Sequence, residues 1–356
     1  MKITCSGCSK VYDIPDERLK IGQKISFPCP ACKAIIDVDL RTKPKAEPPH
    51  SPFQTSREKQ KEKTSSSEPS TQELLSGEAL KNRILRSVPD LPPMPQVMIK
   101  AREVMNNPRS NFKELADILE VDQAMAARVL KLSNSAYYGL AGKVSSVQHA
   151  SVLLGYKTLG ELVSMAGSSS LLGKTLDGYK MDSGDLWSHS LTVAFGSRSI
   201  ASKKKPEIEN DAFSAGLIHD AGKLVLDAYI AERTMLFEEF ITNGEQTFLN
   251  AEKEILGFDH SEIAAEVCKT WKIPKSLITA IRYHHHPLRS HEDPLTYIVH
   301  IADSLALMSG IGTGLDGMRY QVESKVLEFL NLDEDTLTDI IHETIETVEK
   351  LKEGMG

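Results

Sequence analysis

The adjacent pair His219-Asp220 lies in the middle of FSAGLIHDAGKLVLD, residues 213–227. An imidazole nitrogen and a carboxylate oxygen together suit a divalent Fe, Mn, Ni or Zn ion. Neighbours on a continuous helix diverge by about 100°, so the two side chains converge on one ion only where the helix ends. Gly216 before the pair and Gly222 after it predict such an end. His189, His260, His284, His285 and Asp303 are the further donors that could close on it. His189, His219, Asp220 and Asp303 would hold one ion. His260, His284 and His285 would hold a second, with Asp220 bridging. Two ions about 3.5–4 Å apart lower the pKa of a bridging water and clamp a phosphoryl group. Lys223 would then stabilise developing charge. Of the consecutive histidines 284–286, at most two face one point. His260 is expected at a helix N-terminus, where the dipole favours neutral imidazole.

A second set of ligand residues opens the chain. Cys5 and Cys8 form one C-x-x-C and Cys29 and Cys32 another. The interval between them is that of a four-thiolate zinc site. Alternating apolar residues (Ile3, Val11, Ile25, Phe27, Ile35 and Val38) predict short strands around it. So small a unit needs the ion for its folding energy. A closed four-sulfur site is structural, because it leaves no position for substrate.

These donors must be positioned by what surrounds them. Residues 41–74 are rich in Pro, Ser, Lys and Glu, and predict a disordered linker between residues 1–40 and the rest. From residue 75 onward the apolar residues recur at helical spacing. Prolines in SVPDLPPMP break the pattern. Ser110 or Asn111 would cap one helix and Asp122 the next. Gly139, Gly142 and Gly155 would mark turns. A helix from about Asp185 carries His189, one opening at Asp211 delivers His219-Asp220, and one beginning near Asp259 carries His260. A helix ended by Pro287 delivers His284 and His285, and a further one carries Asp303. Cys268 reads as a core thiol, and His149 as a packing or surface residue. Residues 311–356 form a glycine-rich segment and two last helices, with Leu337, Ile340, Ile341, Ile345 and Val348 in one stripe.

The net charge of −7 gives no electrostatic footprint for bulk nucleic-acid binding. A helix-turn-helix reading of residues 75–184 finds too few basic residues beside Arg128 and Lys131. No signal peptide and no apolar run of about 18 residues is evident, so a soluble, cytoplasmic protein with no membrane partner is expected.

The run LPPMP, the block VDQAMAARVLKLSNSAYYG and the turn at Leu154-Gly155 resemble the N-terminal half of an HDOD domain, an HD-related output domain of bacterial signalling proteins. Residues 1–39 resemble bacterial zinc ribbons. The resemblance implies an all-α fold: a multi-helix HD-like bundle over 75–310, in halves 75–184 and 185–310, preceded by a small β zinc ribbon. His189, His219, Asp220, Lys223, His260, His284, His285 and Asp303 match, in order, the site positions of HD-superfamily metal-dependent phosphohydrolases. Zinc in the ribbon, and one or two Fe or Mn ions in the HD pocket, are the cofactors implied. The branch that hydrolyses cyclic di-GMP carries Gly-Tyr-Pro after its last paired histidines. Here the segment is HPLRSHEDPLTY, which disfavours that substrate, and DGYK at 177–180 precedes the ligands. HDOD domains are regarded as output modules. A regulatory module binding a signalling protein or a small phosphorylated ligand is therefore expected. The alternative is a phosphohydrolase using Asp220 and Lys223.

Overall fold

The computed structural model describes strands within residues 2–39 and, beyond them, residues 75–87, 104, 110–120, 122–140, 142–243, 247–314 and 322–353. The chain divides into two compact units, Met1–Thr71 and Gln72–Gly356. In the first, β1 (Lys2–Thr4) pairs antiparallel with β2 (Val11–Asp13), and β3 (Lys24–Pro28) with β4 (Ile35–Asp39). The four cysteines of the expected ribbon, the linker 41–74, the LPPMP run and residues 315–321 lie outside the described residues.

Helices make up the second unit, whose described residues include no strand beyond an isolated bridge between Leu176 and Met181. α1 (Gly77–Ser87), α2 (Phe112–Glu120), α3 (Gln123–Ser133) and α4 (Val147–Leu172) come first. Asp122 starts α3 by accepting a hydrogen bond from the Met125 N–H at 3.0 Å. Asn111 does the same for α2, accepting from the N–H groups of Lys113 and Glu114. Each satisfies backbone donors that a helix start leaves free. Gly155 marks the expected break, dividing Val147–Leu172 into two helical stretches. It sits inside α4 at φ 82°, ψ 168°, and kinks it. Only glycine adopts such a backbone without strain, and helical bonding resumes on its far side.

α5 (Asp185–Lys204) is buried on nearly every side through its first three turns. A helix buried all round belongs at the centre of a bundle. α6 (Glu209–Ile218), α12 (Pro294–Ser309) and the last helix, α14 (Glu334–Glu353), pack against it. Ile340, Thr344, Val348 and Leu351 make the buried stripe of α14, while His342 is exposed. Between α6 and α12 run α7 (Lys223–Ala231), α8 (Thr234–Asn243), α9 (Phe248–Leu256), α10 (His260–Thr270) and α11 (Lys275–Tyr283); α13 (Ser324–Leu330) precedes α14.

α6 ends at Ile218, and residues 219–222 turn the chain into α7. The flanking glycines produce this turn by a different means from the one expected. Neither has a positive φ. A Cβ on Gly216 would lie 2.8 Å from the Val193 carbonyl oxygen of α5, and one on Gly222 would lie 2.0 Å from the His260 carbonyl oxygen. They let backbones touch, and so bring α5 and α10 up to the His219-Asp220 pair.

Candidate metal centre

Four helices and one turn deliver the donors. α5 supplies His189, the turn after α6 supplies His219 and Asp220, and the first residue of α10 is His260. His284 and His285 follow the end of α11, and Asp303 comes from α12. The structure brings all of the expected HD-pocket residues together, with Lys223 beside them. His219, His260 and His284 are completely buried, and Asp220, Lys223 and Asp303 are 2% exposed.

The two oxygens of Asp220 face different ways. Oδ2 lies 3.6 Å from His189 Nε2, 3.5 Å from His219 Nε2 and 2.9 Å from Lys223 Nζ. Oδ1 lies 3.2 Å from His260 Nε2 and 3.9 Å from His284 Nε2. Asp303 Oδ1 is 3.1 Å from His189 Nε2 and 3.5 Å from His219 Nε2, and its Oδ2 is 3.6 Å from His285 Nδ1. Three overlapping donor groups have all their ligand atoms within 4.8 Å of one another: Asp220 with His260, His284 and His285; His189 with His219 and Asp220; and His219 with His284 and Asp303. Ligands held about 2.1 Å from a tetrahedral ion sit about 3.4 Å apart, so these spacings fit one or two ions.

Hydrogen bonds on the far side of each ring set the tautomers. His219 Nδ1 donates to the Gly216 carbonyl at 2.8 Å, and His284 Nδ1 to the Ile281 carbonyl at 2.6 Å. Each Nε2 is thereby turned into the cluster, and neither makes a hydrogen bond there. A buried nitrogen without a partner is costly unless something completes it. An ion coordinated at these atoms would do so. His286 stands apart, against Lys253 and 4.0 Å from Asp259, so two of the three consecutive histidines face the centre.

Against the cost of burial, the charges of His219, Lys223 and His260 hold the Asp220 carboxyl well below the usual range. The hydrogen bond from His189, together with the nearby His219 and His285, does the same for Asp303, again against burial. Burial, followed by the charge of His219, pushes His284 down to about 3. His285 is pushed down by burial and by His284. His260 departs from expectation. It does open its helix, but burial and helix dipole are outweighed by the carboxylates of Glu252 and Asp220, which raise it well above the ordinary histidine value. Cys268 is buried in α10, and burial pushes its thiol up to about 12, as suits an inert core residue.

Several supporting residues carry no sequence motif. Glu252 of α9 is fully buried and accepts from the His260 Nδ1 at 2.7 Å. Tyr179 donates to its other oxygen at 2.6 Å. His300 donates from Nδ1 to the His284 carbonyl at 2.7 Å and accepts from the Glu323 N–H at 3.2 Å, fixing the turn that carries His284. The one signal for Glu252 is its place on the apolar face of its helix, between Phe248 and Leu256 at steps of four.

A helical body gathering histidines and aspartates around His-Asp defines an HD-type protein with a His/Asp cluster that could hold a metal. The HDOD domain model matches residues 91–287, more than half of the chain, and this protein belongs to that family. All the candidate HD residues except Asp303 fall inside the matched stretch. A protein of Treponema pallidum (strain Nichols), itself uncharacterized, is 24% identical over 204 residues, 56% of this chain and 38% of the relative's length. Among solved structures, an HDOD domain protein of unknown function from Geobacter sulfurreducens aligns with TM-score 0.66 at 23% identity, covering 78% of this chain and 97% of its own. A Shewanella amazonensis SB2B protein provisionally named a phosphohydrolase aligns with TM-score 0.61 at 24% identity, over 77% and 98%. These two likenesses establish the shared fold.

Proposed function

We propose that this protein is a cytoplasmic regulatory module whose second unit holds a dinuclear Fe or Mn centre, and whose helical surface engages a signalling protein or a small phosphorylated ligand. The observation that carries this reading is the enclosure of the cluster. The side chains of His189, His219, Asp220, His260, His284 and Asp303 are at most 3% exposed, and that of His285 is 7% exposed. Ligands so enclosed crosslink a fold well and meet a phosphoester poorly. Lys223 has its charge matched by Asp220 at 2.9 Å, which leaves it committed to the cluster. Among the described residues no helix is long and apolar enough to cross a membrane. The N-terminal cysteines belong to the same proposal as a structural zinc ribbon.

A second reading, a metal-dependent phosphohydrolase, draws on the split of Asp220 between two donor groups. Two ions bridged by one carboxylate supply an activated water and a clamp for a phosphoryl group. In that reading Asp220, Asp303 and the imidazoles would hold the ions, and Lys223 would supply positive charge near the reacting oxygens.

Metal analysis of the purified chain, followed by anaerobic assay with Mn or Fe against phosphoesters and cyclic dinucleotides, separates the two. The regulatory reading expects metal that is lost in His219→Ala, and no turnover. Turnover abolished by Asp220→Ala would replace it with the second. Metal confined to residues 1–40 would remove both.

A further inference from the structure

The donor histidines are not supported alike, and the difference divides the centre. His219 and His284 each donate Nδ1–H to a carbonyl three residues earlier in their own helix. His260 instead donates its Nδ1–H to a carboxylate. Glu252 Oε2 accepts from that nitrogen at 2.7 Å and from the His260 backbone N–H at 3.0 Å. Glu252 Oε1 accepts from the Tyr179 hydroxyl at 2.6 Å. Both are buried, Glu252 completely and Tyr179 to within 1%. The Tyr179 ring packs on Phe248 at 5.2 Å, and Lys223 Nζ stands 5.4 Å over it. A buried carboxylate held at both oxygens cannot turn away. Its full negative charge also makes the opposite nitrogen of His260 a stronger donor than a carbonyl would.

Resting on the metal-centre reading above, we infer that Glu252, anchored by Tyr179, is a positioning residue for one ion only, the one bound by Asp220, His260, His284 and His285. Glu252 reaches the centre through His260, a donor of that group and not of the one formed by His189, His219 and Asp220. Glu252 fixes which nitrogen of His260 carries the proton, aims Nε2 at Asp220 Oδ1, and supplies negative charge behind the ion. Tyr179 keeps Glu252 in that orientation. The DGYK segment, which lies too early in the chain to supply a ligand, thus acts through Glu252.

The test is Mn(II) titration of the full-length chain, read by bound-metal stoichiometry and by electron paramagnetic resonance. Two ions sharing Asp220 give an exchange-coupled signal, and a lone ion gives a resolved hyperfine pattern. The wild type is expected to show the coupled signal. Glu252→Gln should weaken one ion by about 10- to 100-fold, the range typical of lost outer-sphere partners, and turn the signal into that of a lone ion. Tyr179→Phe, which removes one hydroxyl, should shift it in the same direction by less, and serves if Glu252→Gln does not fold. Unchanged affinity and an unchanged coupled signal in both variants would overturn the inference and leave the metal-centre reading standing. A wild type whose Mn binding is insensitive to His219→Ala removes the reading itself, and the inference with it.

Discussion

Asp220 is the residue on which the charges of this cluster balance. Lys223, His219 and His260 all hold its carboxyl ionised against burial. Removing its charge without its shape, as in Asp220→Asn, leaves Lys223 buried beside a neutral amide. Breaking one side of a buried ion pair costs about 3–5 kcal/mol, so urea unfolding should show a loss of that order together with loss of bound metal. Adding Lys223→Met removes the stranded charge and should recover part of the stability but none of the metal. Equal stability in the single and double variants would mean that Lys223 finds another partner. The residues of this cluster were legible because His-Asp and His-His pairs are rare chemistry in a helical sequence. Glu252 was not, since its one signal, a place on the apolar face of its helix, does not say which side chain a buried acid meets. The His260 titration failed for a related reason, as the dipole could be read from position but the facing carboxylate could not.

At the scale of elements, close backbone approach does the assembling. Gly222 joins α7 to α10, and Gly216 joins α6 to α5. Gly222→Ala puts a methyl group 2.0 Å from a backbone oxygen, which no rotamer change relieves. Overpacking typically costs about 1–3 kcal/mol. Because the atom displaced belongs to His260, metal affinity should fall along with the melting temperature. Gly139→Ala is the contrast: its φ of 57° strains alanine, but nothing lies within 4 Å. It should cost stability with no change in metal binding, and equal metal loss in both would show that general destabilisation is responsible. Helix starts were readable because Asn111, Asp122 and Asp259 announce themselves by side-chain chemistry. Gly155 was readable as a break because glycine takes a non-helical, positive-φ backbone without strain.

Across the whole second unit, the N-terminal half is tied to the HD-like half by Arg198 of α5. It donates to Glu161 of α4 at 2.6 Å and to the Tyr137 hydroxyl at 2.8 Å, and lies over Phe195 at 4.6 Å. The centre ties the HD-like half to itself in the same way, since its donors come from α5, α10, α11, α12 and the turn after α6. An ion bound there and not in the unfolded chain stabilises by about 2.7 kcal/mol at a free concentration one hundred times its Kd. For a unit of this size that is ~5–10 °C in melting temperature. Chelation of the Mn- or Fe-loaded chain should therefore lower the transition of the second unit by that amount. Asp220→Ala, which removes the donor shared by the groups proposed for both ions, should show no further loss when chelator is added. A chelator effect of the same size in that variant would place the stabilising ion elsewhere, with the N-terminal cysteine pairs the next candidates. The expected pattern, a shift in the wild type and none in the variant, is what a fold braced from its interior requires.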